Sequence, residues 1–129
     1  MAPACDTTEF AELIDMIGAD GVTEMLGIFV AETRRRLERL EAGSQDIATI
    51  SREMHTLKGA AGTVGAPWLS GLARKLEHAA GDGIAPSRSD LRAIEDGLET
   101  FLLAARSHCQ RISDPVRPPR PGKLFKLGV

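Results

Sequence analysis

The chain has 129 residues and a formal net charge of −2, from 16 lysines and arginines against 18 aspartates and glutamates. That length corresponds to one domain of ordinary size, and the small negative charge gives no argument for binding to nucleic acid or to an anionic membrane. No apolar stretch is long enough to span a bilayer. The first residues also lack the basic and apolar regions of a signal peptide, so we expect a cytoplasmic protein.

Aromatic residues make up only 4% of the chain. Few aromatics together with many leucines and alanines favour a helical bundle over a β-sandwich. No run of β-branched residues alternates with a period of two, so no strand is predicted. The two cysteines, Cys5 and Cys109, do not resemble a disulfide framework. The histidines show no metal-ligand spacing, and we expect no metal site.

The N-terminal part of the chain predicts two helices. The first runs from about Thr8 to Ile17 and ends at Gly18. The second runs from about Asp20 to Glu41, because its apolar residues recur at intervals of three and four. Gly43 ends this helix, and Ser44 is the predicted cap of the next one.

The second helix contains three consecutive arginines, Arg34, Arg35 and Arg36. Glutamates interleave with them along the helix, and this pattern is typical of a solvated face stabilised by pairs of opposite charge. We therefore expect all three arginines to point into solvent.

Three further helices follow. The third runs from about Gln45 to Val64, and the fourth runs from about Pro67 to Ala80, with proline suited to a first helical turn. A loop spans Gly81 to Pro86. Ser87 and Asp90 then have the spacing of a capping box, which predicts the start of a fifth helix.

These elements predict an all-α domain over residues 1–112. Helices two to five have similar lengths and short connections, which is typical of an antiparallel up-down-up-down four-helix bundle. The short first helix would cap one end of it. Residues 113–129 form a tail rich in proline and arginine that cannot continue a helix and is predicted to be flexible.

His55 lies on a glycine-rich face of the third helix. At about 100° per residue, Gly62, Gly59 and Lys58 fall within about 60° of His55. Two glycines inside a helix cost roughly 1 kcal/mol each, so they indicate a purpose other than stability. The pattern predicts an exposed imidazole that another protein surface can approach closely. The apolar residues of this helix fall on the opposite side: Ile50, Leu57, Ala61 and Val64.

This segment resembles the histidine-containing phosphotransfer (HPt) domain family of two-component phosphorelays. The resemblance covers about Gln45 to Ala80. It implies a four-helix bundle whose exposed histidine accepts a phosphoryl group from an aspartyl phosphate of a receiver domain and passes it to another receiver. The residues that match are His55, Lys58, Gly59, Gly62 and Gly65, followed by Leu69, Leu72, Leu76 and Glu77.

Three side chains are candidates for the chemistry. A neutral imidazole has a lone pair near pH 7, so His55 is the predicted phosphoryl acceptor. Lys58 lies one turn away, where its ammonium group can offset the charge of the phosphoryl oxygens. The resemblance also implies that the Glu77 carboxylate contacts the other ring nitrogen of His55 and so orients the ring.

A receiver domain would dock on a flat patch around His55. Small residues of the third helix supply its centre: Ala48, Ser51, Gly59 and Gly62. Apolar contacts would come from residues that the core does not fully bury: Leu13, Met16, Ile17 and Ile28. We expect a small, transient interface, because a carrier must release each partner quickly.

The sequence therefore predicts a phosphocarrier that acts as a monomer and is not itself an enzyme. It has no phosphate-binding loop and no acidic cluster near His55, so we expect no cofactor of its own and magnesium supplied by the partner receiver. The expected partners are response-regulator receiver domains and a hybrid sensor histidine kinase. Two alternatives stay open: the phosphotransfer domain of a chemotaxis-type histidine kinase, and a helical adaptor that is never phosphorylated.

Overall fold

The protein is an antiparallel bundle of four helices, seen in a computed structural model that describes residues 2–113 and the side chains of residues 2–109. The helices are α1 (Thr7–Ala42), α2 (Ile47–Thr63), α3 (Pro67–Gly81) and α4 (Arg88–Ser113). Within these residues there is no strand, and no helix is long and apolar enough to cross a membrane. Helix α2 packs mainly along α3, and α1 packs along α4. The predicted all-α four-helix bundle is confirmed.

The first two predicted helices form one element, α1, with a kink. Gly18 has φ 79° and ψ 163°, which is not helical, so the predicted break lies at the right residue. Helical hydrogen bonding resumes directly after it, and no separate connection exists between the two segments. Gly43 ends α1 in the left-handed region at φ 71°, and its N–H donates to the Leu40 carbonyl, as expected for a glycine cap.

The caps of α2 and α4 test two further predictions. The predicted cap Ser44 is wrong: the cap of α2 is Asp46, whose Oδ1 accepts from the Thr49 N–H at 2.8 Å. Helix α2 therefore begins two residues later than predicted. The capping box before α4 is confirmed, because Ser87 N donates to Asp90 Oδ2 at 2.8 Å and Asp90 N donates to Ser87 Oγ at 3.1 Å.

The N-terminal segment closes one end of the bundle, as predicted. Asp6 N donates to the Gly65 carbonyl at 2.9 Å, and Trp68 N donates to the Pro3 carbonyl at 3.1 Å. Phe10 is fully buried beneath this crossing and packs edge-on against Phe101, with ring centroids 6.5 Å apart. The segment therefore ties the turn between α2 and α3 to the middle of α4.

Arg36 contradicts the expectation of a solvated arginine face. It is only 7% exposed, because it lies beside the buried residues Thr33 and Leu37 on the core side of α1. Its Nε lies 3.4 Å from Glu53 Oε1 of α2. Arg39 also binds the Glu53 carboxylate, at 2.8 Å from Oε2. Charge periodicity along one helix could not reveal an acceptor supplied by a second helix.

Cys5 and Cys109 are both free thiols buried in the core. Burial, and secondarily the proximity of Cys5, raises the pKa of Cys109 to about 11. Ser113, predicted as the first residue of the tail, is the last residue of α4. The rest of the predicted tail, residues 114–129, lies outside the described residues.

Gly97 of α4 is buried where the indole of Trp68 crosses it. A Cβ atom at this position would lie 2.9 Å from Cε3 of that ring and closer still to Cζ3. We expect Gly97→Ala to lower the free energy of unfolding by about 1–3 kcal/mol, because the indole must shift. Gly27→Ala is the matched control, since its Cβ would meet nothing within 4 Å. That control should raise stability by about 0.5–1 kcal/mol in urea denaturation. Equal effects of the two substitutions would contradict the packing role of Gly97.

Glu53 should make stability depend on pH. Partial burial alone would raise the pKa of Glu53, but its hydrogen bond to Arg39 and the charge of Arg36 outweigh burial and lower that pKa. Its contribution is therefore complete above the ordinary glutamate pKa, about 4.3, and is lost as the pH falls through the lower native value. We expect Glu53→Gln to cost roughly 1–2 kcal/mol near pH 7, and to cost progressively less toward pH 3. Urea titrations across this range measure the difference, with the exposed Glu38→Gln as a control that changes little at any pH.

Candidate functional site

His55 stands on the outer face of α2, near its middle. Its side chain is 67% exposed, whereas Met54 and Leu57 on either side of it along the chain are buried in the core. The opposite face of α2 is buried as predicted, through Ile50 and Ala61. The same helix therefore supplies both a core-forming surface and an imidazole that points into solvent.

Glu77 of α3 reaches across to both candidate residues of α2. Its Oε2 lies 2.8 Å from His55 Nδ1, and its Oε1 accepts from Lys58 Nζ at 2.7 Å. The hydrogen bond from Lys58 and then that from His55 lower the pKa of Glu77, outweighing partial desolvation. The carboxylate is therefore ionised near pH 7.

This contact determines the tautomer of His55. An ionised carboxylate can only accept hydrogen bonds, so the 2.8 Å contact requires the ring hydrogen to lie on Nδ1. The lone pair then lies on Nε2, on the side of the ring that faces away from Glu77. The geometry leaves one ring nitrogen nucleophilic and exposed, and stabilises any positive charge that develops on the ring.

The two glycines beside His55 leave its surroundings flat. A Cβ atom on Gly59 would meet nothing within 4 Å, and one on Gly62 would meet only Ser70 Oγ, at an ordinary 3.7 Å. Packing of α2 against α3 therefore does not require glycine at either position. The open space above both glycines leaves room for another surface to approach His55 closely.

A cleft of about 750 Å³ opens beside Lys58. It was not predicted from the sequence. Ser70 of α3 anchors its floor, because Ser70 Oγ donates to the Lys58 carbonyl at 2.9 Å. The signal was present in α3, where Ser70, Arg74 and Glu77 recur at intervals of four and three and so share one face. The lining residues are Asp6, Glu9, Lys58, Gly62, Gly65, Pro67, Ser70, Gly71 and Arg74.

The predicted docking residues occupy two elements. On α2, Ala48 is exposed and Ser51 is half-buried. On α1, Met16 and Ile17 lie just before the kink at Gly18, and both are exposed. Two more are also on α1: Ile28, which is exposed, and Leu13, which is half-buried and packs against the core.

The other histidines do not join this arrangement. His78 is exposed on α3, and the half-buried ring of His108 packs edge-on against Phe10 with centroids 5.7 Å apart. Among the described residues no three metal-ligating side chains form a group that could hold a metal ion.

A model of the Hpt domain family matches residues 24–112, which is more than half of the chain. The chain belongs to the Hpt domain family. The predicted resemblance to histidine-containing phosphotransfer domains is thereby confirmed. The matched region includes His55, Lys58 and Glu77.

The fold of this Hpt domain is also similar to that of a solved structure. The crystal structure of histidine-containing phosphotransfer protein B (HptB) from Pseudomonas aeruginosa PAO1 superposes with a TM-score of 0.73 at 24% sequence identity. The alignment covers 86% of this chain and 98% of HptB. No curated protein sequence matches the chain.

Proposed function

We propose that this Hpt domain is a phosphocarrier that accepts a phosphoryl group on His55 from a receiver-domain aspartyl phosphate and passes it to another receiver. The observation that supports this best is the orientation of His55. Its Nδ1 is 2.8 Å from an ionised carboxylate while most of its side chain is exposed. A buried or freely rotating imidazole would lack one of these two properties.

The proposed transfer uses the two ring nitrogens differently. The Nε2 lone pair attacks phosphorus, and the bond from phosphorus to the aspartyl oxygen breaks, with its electrons staying on the leaving carboxylate. The Nδ1 hydrogen remains in place and donates to Glu77, which stabilises the positive charge that the ring gains. Lys58 offsets charge on the phosphoryl oxygens. Onward transfer is the reverse reaction with a second receiver.

The carrier has no nucleotide-binding machinery of its own in this proposal. Magnesium belongs to the receiver domain, which aligns its aspartate with His55, and a hybrid sensor histidine kinase is the upstream partner. We propose that the protein acts in the cytoplasm as a monomer, without nucleic-acid or membrane partners. These proposals rest on family membership and on the absence of a phosphate-binding loop from the sequence.

A second candidate function is the phosphotransfer domain of a chemotaxis-type histidine kinase. Glutamate at position 77 is compatible with it, since chemotaxis-type domains resemble this chain there while many relay modules have glutamine, but this residue does not decide between the two candidates. Labelling by a phosphorylated receiver, compared with labelling by a kinase domain and ATP, separates the two candidates. Labelling by neither donor would favour the unphosphorylated adaptor.

His55→Gln should abolish phosphoryl acceptance and leave the fold intact, because the side chain is exposed. The measurement is incorporation of acid-labile, base-stable phosphate from a phosphorylated receiver, with circular dichroism as the check on folding. His78→Gln is the matched control, an exposed histidine on the neighbouring helix that should label normally. Phosphate on another histidine of His55→Gln would refute the assignment.

Gly59→Leu should block receiver docking without disturbing the bundle. Its side chain would project into open space, and leucine is the better helix former, so stability should rise by roughly 0.5–1 kcal/mol. We expect transfer from a receiver to slow by about tenfold or more, equivalent to ~1.4 kcal/mol of lost binding or alignment. Phosphorylation by phosphoramidate, a small donor, should be unchanged. A variant that unfolds, or that accepts phosphate from the receiver at the normal rate, would contradict the proposed docking face.

A further inference from the structure

The ammonium group of Lys58 has two acceptors to serve, the Glu77 carboxylate and the phosphoryl oxygens on His55. In the structure it donates to Glu77 Oε1 at 2.7 Å. In the proposed transfer it must neutralise phosphoryl oxygens on Nε2, which lies on the opposite side of the His55 ring from the Glu77 contact. An ammonium group is a compact point charge that cannot occupy both places at full strength.

When Lys58 leaves, Glu77 loses its strongest partner. The Lys58 hydrogen bond is the largest contribution that lowers the pKa of Glu77, ahead of the bond to His55. The carboxylate would then hold the His55 ring alone while the phosphoryl group is attached. The vacated Oε1 can then accept a hydrogen bond from a replacement cation, while Oε2 keeps its contact with His55 Nδ1.

Arg74 is placed to be that replacement. It precedes Glu77 by three residues on α3, a spacing that brings two side chains about 5–6 Å apart at their Cβ atoms. It lines the same cleft as Lys58. The other residues of α2 and α3 that line this cleft are Gly62, Pro67, Ser70 and Gly71, all with short side chains, and Glu77 lies outside the lining.

Arg74 is also available. Its side chain is exposed, and within the described side chains it makes no hydrogen bond or ion pair. The cleft contains two acidic residues as well. Asp6 Oδ1 accepts from the Glu9 N–H as the cap of α1, which leaves Asp6 Oδ2 and the Glu9 carboxylate as competing acceptors for Arg74.

We propose that Arg74 replaces Lys58 on Glu77 Oε1 when Lys58 turns to the phosphoryl group on His55. No covalent bond changes in this exchange: one N–H···O bond from an ammonium group is replaced by one from a guanidinium group. Arginine suits the task because it stays protonated and its planar fork matches a carboxylate. Arg74 is thus a positioning residue that acts on His55 through Glu77. The inference rests on the proposed function of His55.

The first test measures the titration of Glu77 by ¹³C NMR in unphosphorylated protein. Arg74→Ala should leave the pKa of Glu77 unchanged, since Lys58 holds Oε1. Lys58→Ala should raise that pKa only in part, since Arg74 takes the vacated position. The double variant should raise it beyond the sum of the single effects by about half a unit or more. Additive effects of the two substitutions on the pKa of Glu77 would contradict the replacement of Lys58 by Arg74. A raised pKa of Glu77 in the single Arg74→Ala variant would also contradict it.

Two controls accompany this titration. Lys75→Ala removes a neighbouring exposed cation that points about 100° away around α3, and it should have no effect alone or with Lys58→Ala. The double variant Lys58→Ala with Arg74→Gln keeps a long polar side chain at position 74. It is used in place of the double alanine variant if that variant does not fold. Lys58→Ala with Arg74→Lys should restore most of the lowered pKa of Glu77.

The second test examines the phosphorylated state at neutral pH. His55 is phosphorylated with phosphoramidate, and solvent exchange of its Nδ1 hydrogen is followed in protein labelled with ¹⁵N-histidine. Arg74→Ala should accelerate this exchange several-fold in the phosphorylated protein and leave it unchanged in the unphosphorylated one. Equal rates of solvent exchange in phosphorylated wild type and phosphorylated Arg74→Ala would contradict the replacement of Lys58 by Arg74. That result would leave the proposed function standing. Failure of wild-type His55 to accept phosphate from either phosphoramidate or a receiver would overturn both.

Discussion

The Glu77 carboxylate is the group on which the geometry of the site depends. It binds His55 Nδ1 through one oxygen and Lys58 Nζ through the other, and it comes from a different helix than either. This bridge holds an exposed ring in one tautomer, which solvent alone would not do. It also explains why α2 and α3 must pack closely and in a defined rotation, because a small rotation of either helix would separate the three groups.

Much of the bundle serves to keep that rotation constant. The Ser70 hydroxyl bonds the Lys58 carbonyl, which joins α2 and α3 at the level of the site. The N-terminal segment bonds the turn between these helices, through Asp6 and Gly65. On the other side of α2, Glu53 forms ion pairs with two arginines of α1 and so links α2 to that helix. Polar contacts between helices thus supplement a core whose apolar side chains are less directional.

The two faces of α2 differ in their side chains. The buried face packs in the core in the usual way. The outer face lacks side chains at Gly59 and Gly62, although a Cβ atom would fit at both positions without a clash. Gly97 on α4 is a different case, since Trp68 occupies the space that its side chain would need. Glycines that look alike in the sequence therefore have different surroundings: Gly59 and Gly62 border open space beside His55, whereas Gly97 makes room for a neighbouring ring.

Local features were predictable from the sequence. Helical periodicity, glycine stops and the Ser87–Asp90 capping box depend on residues within a few positions of one another. They predicted five helical segments, the first two of which form α1, and the exposed face of His55. The start of α2 was less accurate, because Ser44 and Asp46 are both good caps and only the path of the chain after α1 chooses between them. The contact between His55 and Glu77 was expected from family resemblance rather than from spacing.

Tertiary structure alone decided which charged groups meet. Arg36 looked solvent-exposed because its acceptor, Glu53, lies on another helix, and only the placement of α3 beside α2 brings Arg74 and Lys58 into one cleft. Such pairings depend on the rotation of one helix against another, and no period within a single helix contains that information. The sequence by itself determined the helices and the histidine that they present. The packing of α2 against α3 determined how that histidine is held, through a carboxylate that also binds Lys58.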